Sequence, residues 1–299
     1  MRKLKKIILY ALFFVFVSLL TFVTLSLVIA PAERINPPTV KVSEKRMEIL
    51  RISAIGDSLT EGVGDNTKSG GYVPILQRDL TDEQPIDVVQ MSNFGKAGDR
   101  SDQILKRLKK DKDMQKSVKE ANVITMTVGG NDLMQAFQSR IFGKTSIKKF
   151  EKPMTKYQKE LKKLYEEIRT LNPEAPVYQL GVYNPFLVSF GEIEEAQDIV
   201  DFWNNGSREF VNEQKNAFFV PINEEISNGL DGKPTLNEEN PANDSSLTKA
   251  QAEKAVNNAL INNLISEDDS FHPNNLGYQV IANAFEKKIS STKELWFKK

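Results

Sequence analysis

The 299-residue chain contains one histidine, His272. It lies in Asp269-Ser270-Phe271-His272-Pro273-Asn274, which places a carboxylate three residues before an imidazole in a turn that leads into a helical pattern. A serine hydroxyl becomes a competent nucleophile when a base of near-neutral pKa takes its proton and a carboxylate holds that base in one tautomer and stabilises its cation. The serine that fits is Ser58, in Gly56-Asp57-Ser58-Leu59-Thr60-Glu61-Gly62-Val63-Gly64, directly after the apolar run Leu50-Arg51-Ile52-Ser53-Ala54-Ile55. Each piece has a plainer explanation when taken singly. A Gly-Asp-Ser turn equally suits the cap of a following helix, and a lone histidine is more often structural.

Acyl transfer also builds negative charge on a carbonyl oxygen, which calls for donors aimed at that oxygen. Two further segments supply them: Asn93-Phe94-Gly95-Lys96-Ala97-Gly98-Asp99-Arg100-Ser101 after a second apolar run, and Val128-Gly129-Gly130-Asn131-Asp132 after a third. The backbone N–H groups of Ser58 and Gly98 and the side-chain amide of Asn131 are the candidate donors, with Gly95 a rival for Gly98. Alone, such glycines form turns and Asn131-Asp132 caps a helix. Four such segments in this order, each at the end of a predicted strand or the start of a predicted helix, are harder to set aside.

The elements that must position them alternate. Strand-length apolar runs are Ile49–Ile55, Ile86–Met91, Val123–Val128, Pro176–Val182 and Ala217–Ile222; helical patterns include Ser101–Leu108, Thr155–Leu171, Glu192–Glu213, Thr248–Ile265 and Asn274–Ile289. This alternation predicts βαβ units and an α/β fold, a three-layer α/β/α sandwich around a mainly parallel five-stranded sheet with its site at the carboxyl ends of the strands. Asn228–Ser246, rich in Gly, Pro, Asn and Asp, is expected to be an exposed loop without the ligand spacing of a calcium site. Tyr72, Phe94, Phe137 and Phe142 are assigned to the core rather than to an acyl pocket.

With these segments in place, the chain resembles the SGNH hydrolases, the GDSL lipase/esterase family, whose four blocks centre on Ser, Gly, Asn and His. The blocks here are Gly56-Asp57-Ser58-Leu59, Gly98-Asp99, Gly129-Gly130-Asn131-Asp132 and Asp269 to Asn274, and the likeness extends from Ile49 to about Ile289. The resemblance implies a flavodoxin-like sheet, Ser58 as nucleophile, His272 as general base and acid, Asp269 as its orienting partner, and an oxyanion hole of Ser58, Gly98 and Asn131.

Charge and composition bound the alternatives. The 40 basic residues balance 40 acidic ones, but Arg2, Lys3, Lys5 and Lys6 cluster at the start and leave 36 cations against 40 anions in the body, so no nucleic-acid partner is expected. Cysteine is absent, which excludes disulfides, thiolate metal sites and a catalytic thiol. The chemistry needs no metal or organic cofactor. There is neither a Gly-x-Ser-x-Gly elbow around Ser58 nor a Gly-x-x-x-x-Gly-Lys phosphate loop.

Residues 7–30 carry no charge and follow the basic cluster, so they are expected to form an uncleaved transmembrane anchor, with the rest of the chain outside the cytoplasm. Cleavage near Ala30-Pro31-Ala32, giving a secreted protein, is the alternative. The expected organisation is a basic terminus (1–6), the anchor (7–30), a Pro-containing linker (31–47) and a hydrolase domain (48–299). The expected function is serine-dependent hydrolysis of a lipid or small ester. Removal of acyl groups from a cell-wall polysaccharide, transfer of the acyl group to an alcohol, or binding without turnover are the alternatives.

Overall fold

The structure is a computed structural model that describes residues 13–21, 23–24, 46–138, 146–184, 196–229, 235–236, 260–261 and 263–297. Residues 45–299 form one compact unit and residues 1–44 another. In the first, all five predicted strands form: β1 (Met47–Gly56), β2 (Ile86–Gly95), β3 (Val123–Thr127), β4 (Val177–Leu180) and β5 (Ala217–Val220). Their order is β2-β1-β3-β4-β5 and every pairing is parallel. Every residue of β3 and β4 is buried. This is expected of inner parallel strands covered on both faces, and their polar residues Thr125, Thr127 and Gln179 are hydrogen-bonded inside the core.

The helices are α1 (Ser58–Glu61), α2 (Tyr72–Glu83), α3 (Ser101–Leu108), α4 (Lys112–Glu120), α5 (Gly130–Gln138), α6 (Glu151–Leu171), α7 (Ala196–Asn212), α8 (Asn223–Asn228), α9 (Asn275–Ser290) and α10 (Lys293–Trp296). Side chains of α3 to α7 pack with Ile55, Ile124, Met126 and Val177 on one face of the sheet. Those of α2, α8, α9 and α10 pack with Leu50, Ile52, Ala54, Tyr178 and Leu180 on the other. Burial of each large aliphatic side chain stabilises by about 1.5–3 kcal/mol, so the sheet is the rigid support for the loops at its edge. The chain runs outward from β1 to β2, then returns past β1 to β3. The loops after β1 and β3 therefore diverge and open a crevice at the carboxyl edge, where ligands of such sheets bind.

The C-terminal end of one predicted helix is corrected. Of Thr248–Ile265, residues 248–259 and 262 lie outside the described residues, and the remainder is not helical. Leu260–Ile261 (β7) pairs antiparallel with Thr235–Leu236 (β6), and Ile265 bridges Pro273. The Asn274 side chain donates to the Asn263 and Ile265 carbonyls at 2.9 and 3.2 Å, and the Asn274 N–H donates to the Leu264 carbonyl. These carbonyls are thus used by the segment that carries His272 rather than by a helical ladder. Of the predicted loop Asn228–Ser246, Asn228 ends α8, Gly229 follows it and 235–236 are strand; the other residues are outside the described set, as is Phe142.

The expected membrane anchor also falls largely outside the described residues. Residues 13–21, 23 and 24 are helical and exposed. No helix among the described residues is long and apolar enough to cross a membrane.

Candidate functional site

Ser58 stands one residue past the Asp57 cap of α1, at the carboxyl end of β1. Asp57 Oδ1 accepts from the Leu59 N–H at 3.1 Å and from the Thr127 hydroxyl at 2.7 Å. The Thr127 oxygen accepts from the Asp57 N–H at 3.1 Å and lies 2.8 Å from Thr60 Oγ1. Thr60 Oγ1 is 3.3 Å from the Tyr72 hydroxyl, which is 3.0 Å from Thr125 Oγ1. Asp57, Ser58, Thr60, Tyr72, Thr125 and Thr127 are all buried, so this hydroxyl chain locks the Ser58 turn to β3 from within the core. Burial raises the Asp57 carboxyl pKa against the bonds from Thr127 and Leu59, and pushes the Tyr72 phenol up to about 12.

His272 arrives from the other end of the chain. Its Nε2 is 2.9 Å from Ser58 Oγ, and its Nδ1 is 2.5 Å from Asp269 Oδ2. Asp269 Oδ1 accepts the backbone N–H groups of Phe271 and His272, each at 2.9 Å. Burial opposes the charge on Asp269, but the bond from the imidazole and those two N–H groups outweigh it and hold the carboxyl below the usual range. The turn reverses at Ser270, whose φ is +52°. It is pinned by the Tyr183 hydroxyl donating to the Phe271 carbonyl at 2.7 Å, and Asn274 caps α9 just beyond it by accepting from the Leu276 and Gly277 N–H groups. Gly64 packs against the same turn: a Cβ there would lie 2.5 Å from the Pro273 oxygen and 3.0 Å from His272 Cβ.

The candidate oxyanion donors form the third part. Asn131, in the first turn of α5, donates its amide to the Asp99 carbonyl at 3.0 Å, which ties it to the residue after Gly98. Gly98 has φ +80° and open space where a Cβ would sit, so backbone conformation alone asks for glycine. The rival Gly95 donates its N–H to Asn93 Oδ1 at 2.9 Å, and a Cβ on it would run into the backbone of Glu61. Its donor is therefore already used within the end of β2.

The loop carrying Gly98 is held at several points. Arg107 donates to Asp99 Oδ2 at 2.5 Å, to the Phe94 carbonyl at 3.0 Å and to the Gly56 carbonyl at 2.9 Å. Asp132 accepts from the Ser101 N–H and hydroxyl at 3.0 and 2.7 Å, and burial raises its carboxyl pKa against those bonds. The Ala97 N–H donates to the Glu61 carboxylate.

Ser58, Asn131 and His272 share the wall of one cleft with Leu59, Val128, Leu133, Met134, Leu180, Val182, Tyr183 and Phe271. Gly98 is not on that wall and joins the group through Asp99. Tyr72 and Phe137 are buried in the core, as expected of them, and Phe94 packs against it. Among the described residues, no group of three or more His, Cys, Asp or Glu side chains converges to hold a metal ion.

Sequence reasoning missed Met134, Leu180, Val182, Tyr183 and Arg107. Two signals were available: Met134 is one helical turn after Asn131, and Leu180 to Tyr183 end a predicted strand at the edge that carries the site. Arg107 had none, because its partners lie at the ends of two different strands, Gly56 after β1 and Phe94 with Asp99 at and after the end of β2.

Comparison with known proteins agrees with this architecture. The chain is 33% identical over 245 residues to the uncharacterized protein YpmR of Bacillus subtilis, spanning 82% of this chain and 83% of that one. It is 31% identical over 173 residues to the spore germination lipase LipC of Bacillus licheniformis, spanning 56% of this chain and 76% of the relative. Among solved structures, the lipase Lip_vut3 from a goat rumen metagenome superposes with a TM-score of 0.57 at 22% identity, covering 80% of this chain and 96% of that one. A variant of the acetyl xylan esterase Axe2 from Geobacillus stearothermophilus gives 0.53 at 18% identity, covering 82% and 97%. The family model described as GDSL-like Lipase/Acylhydrolase matches residues 54–280, and the chain belongs to that family of ester hydrolases.

Proposed function

We propose that Ser58 is the nucleophile of a two-step acyl transfer, with His272 as general base and acid and Asp269 as its orienting carboxylate. The observation that carries this reading is the unbroken contact series from Ser58 Oγ to His272 Nε2 and from His272 Nδ1 to Asp269, on the wall of a cleft at the sheet's carboxyl edge. In the first step a bond forms between Ser58 Oγ and the ester carbonyl carbon while His272 Nε2 takes the hydroxyl proton. The carbon–oxygen bond to the alcohol then breaks, and His272 delivers that proton to the leaving oxygen. In the second step water attacks the acyl–Ser58 carbonyl, gives its proton to His272 and releases the acid, and the proton returns to Ser58. The Ser58 and Gly98 N–H groups and the Asn131 amide stabilise the oxyanion in both steps.

The substrate class is a lipid or small acyl ester. The named activity of the lipase relative supports an ester substrate. Acylated cell-wall glycans remain within the same chemistry, and the Ser58–His272–Asp269 contact series supports turnover over a binding-only role.

We also propose that residues 7–30 anchor the enzyme in the cytoplasmic membrane with the 48–299 domain outside. The uncharged length of that segment and its basic flank support this placement, as do the exposed Phe13, Phe14, Phe16, Leu19 and Leu20 among its described residues. Hydrolysis of p-nitrophenyl esters by the full chain and by Ser58→Ala tests the catalytic reading. Turnover should fall by about 10⁴-fold or more in the variant with unchanged folding. Equal turnover by the variant would contradict it.

A further inference from the structure

The wall of the cleft carries information about the acyl group. Its back is made of core residues: Val128, Leu133, Leu180 and Tyr183 are 3%, 1%, 1% and 4% exposed. None of these yields readily. Val128 follows the inner strand β3, Leu133 packs into the core under α5, and Tyr183 is fixed by its bond to the Phe271 carbonyl. The rim differs. Leu59, Met134 and Val182 are only partly buried and pack against the edges of the two cores.

The space in the cleft beside Ser58 is small, about 50 Å³, and is bounded behind by those core side chains. From this wall we infer that the cleft accepts short acyl groups in preference to long ones, and that Met134 at the rim sets this limit. The inference rests on the Ser58 reading and narrows it from acyl esters in general to short-chain ones. A long fatty acyl chain meets a back wall built from the folding core, where making room would disrupt well-packed side chains.

The test measures kcat/KM for p-nitrophenyl acetate, butyrate and octanoate with the full chain, Ser58→Ala, Met134→Ala and Val182→Ala. The wild-type chain should favour acetate or butyrate over octanoate by at least about tenfold, and Met134→Ala should narrow that ratio by about tenfold, since one methylene in an apolar pocket is worth roughly 10- to 200-fold. Val182→Ala reads the same rim independently should Met134→Ala fail to fold, and should move the ratio in the same direction. A wild-type preference for octanoate, or a ratio that neither rim variant moves, overturns the short-acyl inference while leaving Ser58 in place. Hydrolysis that persists in Ser58→Ala, or the absence of hydrolysis of all three esters by the folded wild-type chain, overturns the Ser58 reading and the inference with it.

Discussion

Ser58 and His272 are 2.9 Å apart, yet the chain holds them by opposite means. Ser58 hangs from the inner strand β1, and the hydroxyls of Thr127, Thr60, Tyr72 and Thr125 run behind it through the core. His272 sits on a turn whose carboxylate, Asp269, is 36% exposed, and that turn closes on itself through two backbone N–H groups. Ser58 is thus positioned by the same interactions that stabilise the fold. His272 is positioned by a local loop fastened at Tyr183, Gly64 and Asn274. Damage on the two sides should therefore register differently, as lost stability on one and lost turnover on the other.

The largest effect separating them is expected from Asp269→Asn. The variant keeps the size of the side chain but removes the charge that favours the imidazolium, so kcat/KM should drop by about 10²- to 10⁴-fold. The denaturant midpoint should change little by comparison, because Asp269 is 36% exposed and solvent screens its contribution to stability. An unfolded variant would show that the turn is part of the core after all.

Gly64→Ala comes next. Its φ of +89° is strained for any L-residue, and the added methyl would press on Pro273 and His272. A fall in kcat of about 10- to 100-fold with KM little changed is expected, in line with a displacement of the base by a fraction of an ångström. Wild-type kcat would show that Gly64 plays no part in placing His272.

Thr127→Val probes the nucleophile's side. It removes a buried hydroxyl that serves the N–H and carboxylate of Asp57 and the hydroxyl of Thr60. Stability should fall by about 1–3 kcal/mol in urea unfolding. This loss should be greater than the free-energy equivalent of any fall in kcat/KM, and the reverse order would erase the distinction between the two sides.

The smallest effect is in pH dependence, and its sign differs between the sides. Asp269 has a lowered folded pKa, so its contribution to stability is present above the ordinary carboxylate range and disappears as pH falls through the folded value. Asp57 has a raised folded pKa, so its contribution is greatest in acid and disappears as pH rises through the folded value. Asp269→Asn should therefore change the slope of the stability curve at and below the ordinary carboxylate range, and Asp57→Asn above it, with opposite signs. Parallel tilts would contradict the opposite environments of the two carboxyls.

The same contrast governs what the sequence reveals. The five strands were legible because each is a short, predominantly apolar run between helical patterns, and the Ser58 segment because a Gly-Asp-Ser turn follows the first of them. His272 was legible as the one histidine, with its carboxylate three residues away. Helix α4 was not, since only Met114 and Val118 of its nine residues are buried. The stretch at Leu260 to Ile265 reads as helix by composition, yet the Asn274 amide and N–H take its carbonyls. That is a tertiary demand with no local signature. Arg107 is the clearest case: it joins Gly56, Phe94 and Asp99, and no spacing rule connects residues that meet only after the sheet has formed.

The most direct test of the central claim is to treat the full chain with a serine-directed fluorophosphonate and map the modified residue by peptide mass spectrometry while following esterase activity. Because the reagent needs an activated hydroxyl with a general base beside it, the label should appear on Ser58 alone, and activity should fall in proportion to labelling. A label on another residue accompanying the loss of activity, or full activity with Ser58 completely modified, would contradict the assignment of Ser58 as the nucleophile.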